Sequence, residues 1–182
     1  MDMDVSDEQL VARCKQELPY DTRAFEVLLR RYERVVFQTC RRYLNHQQEA
    51  EEASQDSFLR AFHGLPKFAG QSTFKTWLFR IVANVCATRY AAMAKAGQRQ
   101  QALRESSPAD VGTVLAPSDE LAGPVGDALE SLAEDDRKVL LLRHVSDLSL
   151  KEVAEALEIS LSAAKMRLYR AEERLREVYK KT

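Results

Sequence analysis

Between Ser57 and Arg104 the chain carries no aspartate or glutamate, yet it holds Arg60, Lys67, Lys75, Arg80, Arg89, Lys95, Arg99 and Arg104. Phe58, Phe62, Phe68, Phe74, Trp77, Phe79 and Tyr90 are interleaved with them. Cations draw phosphates, and aromatic faces give unpaired bases a surface to stack on. The chemistry these residues offer is the holding of a nucleic-acid strand. The net charge of the 182 residues is only −1, so the charge is sorted into blocks rather than uniformly basic. An acidic patch, Glu49, Glu51, Glu52 and Asp56, stands directly before the basic block, and no Lys or Arg occurs from Glu105 to Asp136. Such sorting suits a chain that lies along charged partners.

A second basic set closes the chain: Lys165, Arg167, Arg170, Arg174 and Arg176. Upstream of it, Ser149-Leu150-Lys151-Glu152 reads as a capping box, in which the Ser hydroxyl and the Glu carboxylate satisfy each other's free backbone donors. It opens a helix with Val153, Ala154 and Leu157 inward. Glu158-Ile159 turn the chain, and Ser160 caps a last helix through Leu161, Ala164, Leu168, Ala171, Leu175 and Val178. Two capped helices around a tight turn, with small Ala154 where they approach, is the plan of a helix-turn-helix. Ser162 through Arg170 would then lie in a major groove, where Lys and Arg reach guanine edges and Met166 or Tyr169 meets a thymine methyl. The alternative is a solvated basic face on an ordinary bundle. Glu158 stands where glycine would be easiest, since a left-handed residue with a Cβ costs about 1 kcal/mol.

Nothing points to an enzyme. There is no Gly-rich phosphate loop, nucleophile motif or metal-ligand cluster, so no catalytic residue, metal or cofactor is expected. Cys14, Cys40 and Cys86 lack ligand spacing and are expected as buried free thiols in a reducing cytoplasm. His46, His63 and His144 form no motif. No apolar run approaches the ~20 residues of a membrane span. The acidic start, Met1-Asp2-Met3-Asp4, lacks the basic and apolar regions of a signal peptide.

The elements that must position these groups read as helices throughout. Phe25, Leu28, Leu29, Tyr32, Val35, Val36, Cys40 and Tyr43 keep a 3.6-residue period, with Asp21 or Thr22 as cap and Asn45-His46 as break. A second helix is expected from about Gln47 to His63, ending at Gly64 and Pro66, with the acidic patch on its outer face. After a short loop turning at Gly70, Ser72 or Thr73 starts a third helix carrying Phe74, Trp77, Leu78, Ile81, Val82, Val85 and Cys86. From about Ala96 the periodicity fades, and Gly97, Pro108, Gly112, Pro117, Gly123, Pro124 and Gly126 mark a linker. The fold class is all-α: two small helical domains, expected to fold independently, joined by a flexible linker.

The segment FAGQSTFKTWLFRIVANV, preceded by EAEEASQDSFLRAF, resembles region 2 of bacterial extracytoplasmic-function sigma factors. The segment LLLRHVSDLSLKEVAEALEISLSAAKMRLYRAEERLRE resembles their region 4. The resemblance implies region 2 over 1–95, a linker over 96–124 and region 4 over 125–182. It implies a transcription initiation factor without catalytic activity that binds core RNA polymerase at the β′ clamp helices and the β flap. Glu51, Glu52, Gln55, Asp56, Phe58 and Arg60 would dock on the clamp helices. The -10 element would be met by Lys67, Phe68, Gln71, Ser72, Thr73, Lys75, Trp77, Arg80, Asn84 and Arg89. Asn84 and the loop would hold a flipped base, and Lys75, Arg80 and Arg89 would hold phosphates. Trp77 is either core or a stacking wedge.

The -35 element would be met by Ser162, Ala163, Lys165, Met166, Arg167, Tyr169, Arg170 and Arg174. The run Ser162 to Arg167 departs from the Gly-Thr-Val-Lys-Ser-Arg type usual in the family, which bears on the -35 sequence. The resemblance also implies an anti-sigma factor, a monomer when free and no membrane insertion. The linker acids Glu105, Asp110, Asp119 and Glu120 suggest an RNA mimic threading the polymerase cleft. A helix-turn-helix regulator acting alone is the competing reading, but it leaves the acidic patch and the acid-free block unexplained.

Overall fold

The computed structural model describes residues 5–106, 128–129 and 131–181. The helices that can be followed among the described residues are α1 (Asp7–Glu17), α2 (Arg23–Leu44), α3 (Gln47–Gly64), α4 (Phe74–Ser106), α5 (Glu134–His144), α6 (Leu150–Leu157) and α7 (Leu161–Lys181). A 3-10 turn, Leu65–Lys67, links α3 to the loop before α4. No strand occurs among the described residues.

The local chemistry sets the helix ends. Asn45 closes α2 in the left-handed region (φ 50°), and the imidazole of His46 accepts from the backbone N–H of Glu49 to open α3. The hydroxyl of Thr73 accepts from the N–H of Thr76 at 3.1 Å, capping α4. The Ser149 and Glu152 capping box is present, and Glu158 takes the left-handed turn (φ 55°) despite its side chain. Helix α1, which the hydrophobic period left unassigned, is opened by a capping box of Ser6 and Gln9. It is tied down by Asp7, which accepts from Arg31 and Tyr32 of α2.

Helices α2, α3 and α4 form the first core. Ala50, Ala53 and Ala61 are fully buried on α3, and their small size lets α2 and α4 approach it. Leu28, Val36, Leu78, Phe79, Val82 and Val85 fill the space between. Cys14, Cys40 and Cys86 are buried thiols, as expected. Burial pushes the Cys14 thiol up to about 11, which makes it inert.

Two expectations need correction. Helix α4 does not stop near Ala96 but runs 33 residues, through Gly97, to Ser106. An interior glycine costs about 1 kcal/mol relative to alanine, and one such residue among good helix formers does not end a helix. The rest of the expected linker, 107–124, lies outside the described residues, and so do Asp110, Asp119 and Glu120, on which the RNA-mimic idea rests. Nor do the two small helical domains stand free of each other, because a single apolar cluster runs from Leu10 through Leu132, Leu142 and Ala171.

Arg137 of α5 is the centre of the contact between blocks. It is only 2% exposed and packs against two tyrosines of the N-terminal block. Its guanidinium carbon is 4.1 Å from the Tyr90 ring centre and 5.7 Å from that of Tyr43, and it donates to the Tyr90 hydroxyl at 3.2 Å. A cation over aromatic faces keeps attraction where water is excluded. Beside it the buried hydroxyls of Thr39 and Ser146 share a hydrogen bond of 3.1 Å.

Candidate nucleic-acid interface

The outward edge of α3 is Glu51, Glu52, Gln55 and Leu59, positions that recur about every turn. Gln47 donates to Glu51 at 3.0 Å and Gln48 to Glu52 at 3.4 Å, so the carboxylates are held on the surface. Arg60 is also exposed, and Asp56 is half-buried. Phe58, expected on this face, is buried in the core instead. The apolar residue on the surface is its neighbour Leu59, which is 57% exposed and was not singled out from the sequence. A step of 100° per residue separates the two, and only the i, i+4, i+8 series from Glu51 would have found Leu59.

The loop before α4 turns at Gly70 (φ 72°), a conformation that favours glycine. Together with α4 it walls a recess of about 490 Å³ lined by Lys67, Phe68, Gln71, Ser72, Trp77 and Arg80, with Glu155 at its edge. Trp77 packs into the core and also lines the recess. It packs on Phe68 and Phe74, with ring centres 4.9 and 5.9 Å away, and its partly exposed side forms part of the recess wall. Gly64 makes room for it, since a Cβ there would lie 3.1 Å from the indole.

Asn84 does not line this recess. It lies in a separate cleft of about 120 Å³ with Arg80, Lys138, Glu158 and Arg167, between α4 and the C-terminal block. The expected pairing of Asn84 with the loop is therefore corrected, because the helix carries it a full turn past Arg80. Two of the expected phosphate holders are engaged across the block contact. Lys75 donates to the Asp147 carbonyl at 3.0 Å. Arg80 donates to the Glu158 carboxylate at 2.8 Å and to the Glu155 carbonyl at 2.6 Å. Arg89 is turned away from both recesses, toward Glu49, Glu52 and Asp56 of α3.

On α7 the exposed face is Ser162, Lys165, Met166 and Tyr169, with Ala163 half-buried at its margin. Ser160 caps the helix, accepting from the Ala163 N–H at 3.1 Å. The arginines are partly committed elsewhere. Arg167 pairs with Asp135 and Arg170 with Asp136, both at 2.9 Å, at the acidic first turn of α5. Arg174 meets Glu177 at 3.5 Å and stays largely exposed. Among the described residues no group of His, Cys, Asp and Glu is arranged to hold a metal, and no helix is long and apolar enough to cross a membrane.

The model of sigma-70 region 2 matches residues 28–95, and that of sigma-70 region 4 matches residues 123–175. The chain is 30% identical over 179 residues to the ECF RNA polymerase sigma-E factor of Haemophilus influenzae, with 93% of each chain covered. It is 30% identical over 178 residues to the ECF RNA polymerase sigma factor SigW of Bacillus subtilis, covering 91% of this chain and 94% of the relative. Two solved structures share the fold. CnrH, in complex with the cytosolic domain of CnrY, superposes with a TM-score of 0.71 at 24% identity over 96% of this chain and 97% of its own. RpoE of Bartonella quintana, in complex with the anti-sigma factor NepR, gives a TM-score of 0.64 at 24% identity over 86% of this chain and 96% of its own. The two region models, matched in order along the chain, together with the ECF relatives at 30% identity over more than nine-tenths of each chain, establish that the chain belongs to the extracytoplasmic-function sigma factors.

Proposed function

We propose that this sigma factor meets its partners through four separate surfaces. Sigma factors give RNA polymerase its promoter choice, and that is the role of this chain. The acidic edge of α3, with Leu59 at its centre, docks on the basic β′ clamp helices of core polymerase. The β flap takes the apolar recess of about 600 Å³ walled by Leu140, Leu141, Val145 and Leu175. The loop recess beneath Trp77 receives an unstacked base of the -10 element, and the exposed face of α7 reads the -35 element. The free chain is a cytoplasmic monomer held in check by an anti-sigma factor, by analogy with the NepR complex.

The observation that carries the -10 reading is the recess itself. It combines an aromatic wall, two cations and the Gln71 amide, which offers both a donor and an acceptor to a base edge. Gln71→Ala should relax the preference at a single -10 position, by about 1–3 kcal/mol. Abortive transcription with core polymerase on promoters varied at each position measures this. A single-position effect from Asn84→Ala, with none from Gln71→Ala, would move the base-reading site to the second cleft.

On α7, Lys165→Ala should lower the discrimination between a matched -35 sequence and a scrambled one. Arg174→Ala should weaken both alike and flatten the salt dependence, because fewer counterions are released. Holoenzyme binding to both sequences across a salt series separates the two. An equal loss on both sequences for Lys165→Ala would remove its base-reading role.

A further inference from the structure

Glu49, Glu52 and Asp56 form one line along α3, spaced three and four residues apart, and like charges at that spacing repel. Arg89 of α4 faces the middle of the line. Its Nη1 donates to Glu49 at 3.0 Å and to Glu52 at 2.9 Å, and its Nη2 donates to Asp56 at 2.6 Å. The side chain is only 22% exposed, while those of Glu52 and Asp56 remain about half exposed. A rigid guanidinium fork holding three carboxylates sets the direction in which each points. The hydrogen bond to Asp56, and then those to Glu52 and Glu49, drive the Arg89 pKa further up, and the Arg89 bond holds Glu52 below its usual range.

We propose that Arg89 is a positioning residue for polymerase docking: it aims the Glu52 and Asp56 carboxylates of α3 at the basic partner surface. The inference rests on the docking role assigned above to α3. Arg89 does not itself meet the polymerase, and it does not hold DNA phosphate, because its donors are turned into the α3 carboxylates. One Arg and three carboxylates leave two negative charges on the line, and Glu51 beside it adds a third, so the face stays attractive to cations. Because α4 also carries Trp77 and Arg80, the same helix that walls the -10 recess sets the docking face. The angle between the polymerase contact and the promoter contact is thereby fixed inside one block.

The sign of one substitution separates positioning from simple charge. Arg89→Gln makes the acidic face more negative. If Arg89 only neutralised its neighbours, the variant would bind a basic partner more tightly and with a steeper salt dependence. If Arg89 positions them, binding weakens and the salt dependence flattens. The experiment is titration of the full-length chain with core RNA polymerase across a salt series, with the wild type, Arg89→Gln, Arg89→Lys and Glu51→Lys compared. Expected are a loss of about tenfold for Arg89→Gln and a similar loss for Arg89→Lys, whose single ammonium keeps the charge but cannot fork across three carboxylates.

Unchanged or tighter core binding by Arg89→Gln, with Glu51→Lys weakened, overturns the inference and leaves the docking reading standing. Full rescue by Arg89→Lys also overturns it, in favour of charge alone. Normal core binding by Arg89→Gln with weakened promoter binding by the holoenzyme would return Arg89 to the phosphate contacts. If Glu51→Lys has no effect, the docking reading itself falls. Should Arg89→Gln not fold, judged by helical circular dichroism, the comparison passes to Arg89→Lys, and wild-type affinity there would sink the proposal.

Discussion

Arg137→Ala is expected to lower the unfolding free energy of the full chain by about 3–5 kcal/mol, the range for removing a large, fully buried side chain. The guanidinium packs against both Tyr43 and Tyr90 and is almost wholly buried. Truncation leaves a cavity at the block contact and removes the donor to the Tyr90 hydroxyl. Arg137→Met should recover much of the loss, because an apolar chain of similar length keeps the packing without needing a charge partner. Urea unfolding followed by circular dichroism measures both. A loss under about 1 kcal/mol for Arg137→Ala, within the range of an ordinary surface change, would show that Arg137 does not hold the blocks together.

The second large effect concerns assembly. Glu51→Lys with Glu52→Lys should weaken holoenzyme formation by roughly a hundredfold or more, because each reversal replaces an attraction by a repulsion at close range. Both side chains are on the outer edge of α3, and Arg89 keeps Glu49 and Asp56 as partners, so the helix has no reason to unfold. Co-purification with core polymerase reads the result. Undiminished recovery of the complex with a folded variant would remove the acidic edge from the docking surface.

Much of the fold was legible in the sequence because it is written in local chemistry. The apolar period of α2, the Asn45-His46 break and the Ser149 and Glu152 capping box all appear where their residues indicate. The turn at Glu158 is left-handed as its position required. What escaped was either weakly periodic or non-local. Helix α1 is announced only by Ser6 and Gln9, whose reciprocal cap is a four-residue signal without a long apolar face. The commitments of Arg80 and Arg89 are set by residues 78 and 33–40 positions away, and no local pattern reports such distances. Arg137 reads in sequence as one more surface cation, and only the arrival of Tyr43 and Tyr90 makes it a core residue.

The Arg80–Glu158 pair has a consequence for binding strength. Glu158 is joined covalently to the surface it covers, so it rivals any diffusing phosphate at an effective concentration on the order of millimolar. A strand reaching for Arg80 must outcompete that resident carboxylate and the Glu155 carbonyl, while Lys75 must leave the Asp147 carbonyl. Its apparent affinity is then multiplied by the fraction of molecules in which Arg80 is released from that pairing, and so reduced. The Glu158 carboxylate is largely exposed, so added salt weakens its hold on Arg80 and the bond of Arg80 with a phosphate together. The side chain that makes the helix-turn-helix turn costly to form is thus also the one that sets the threshold a promoter strand has to exceed.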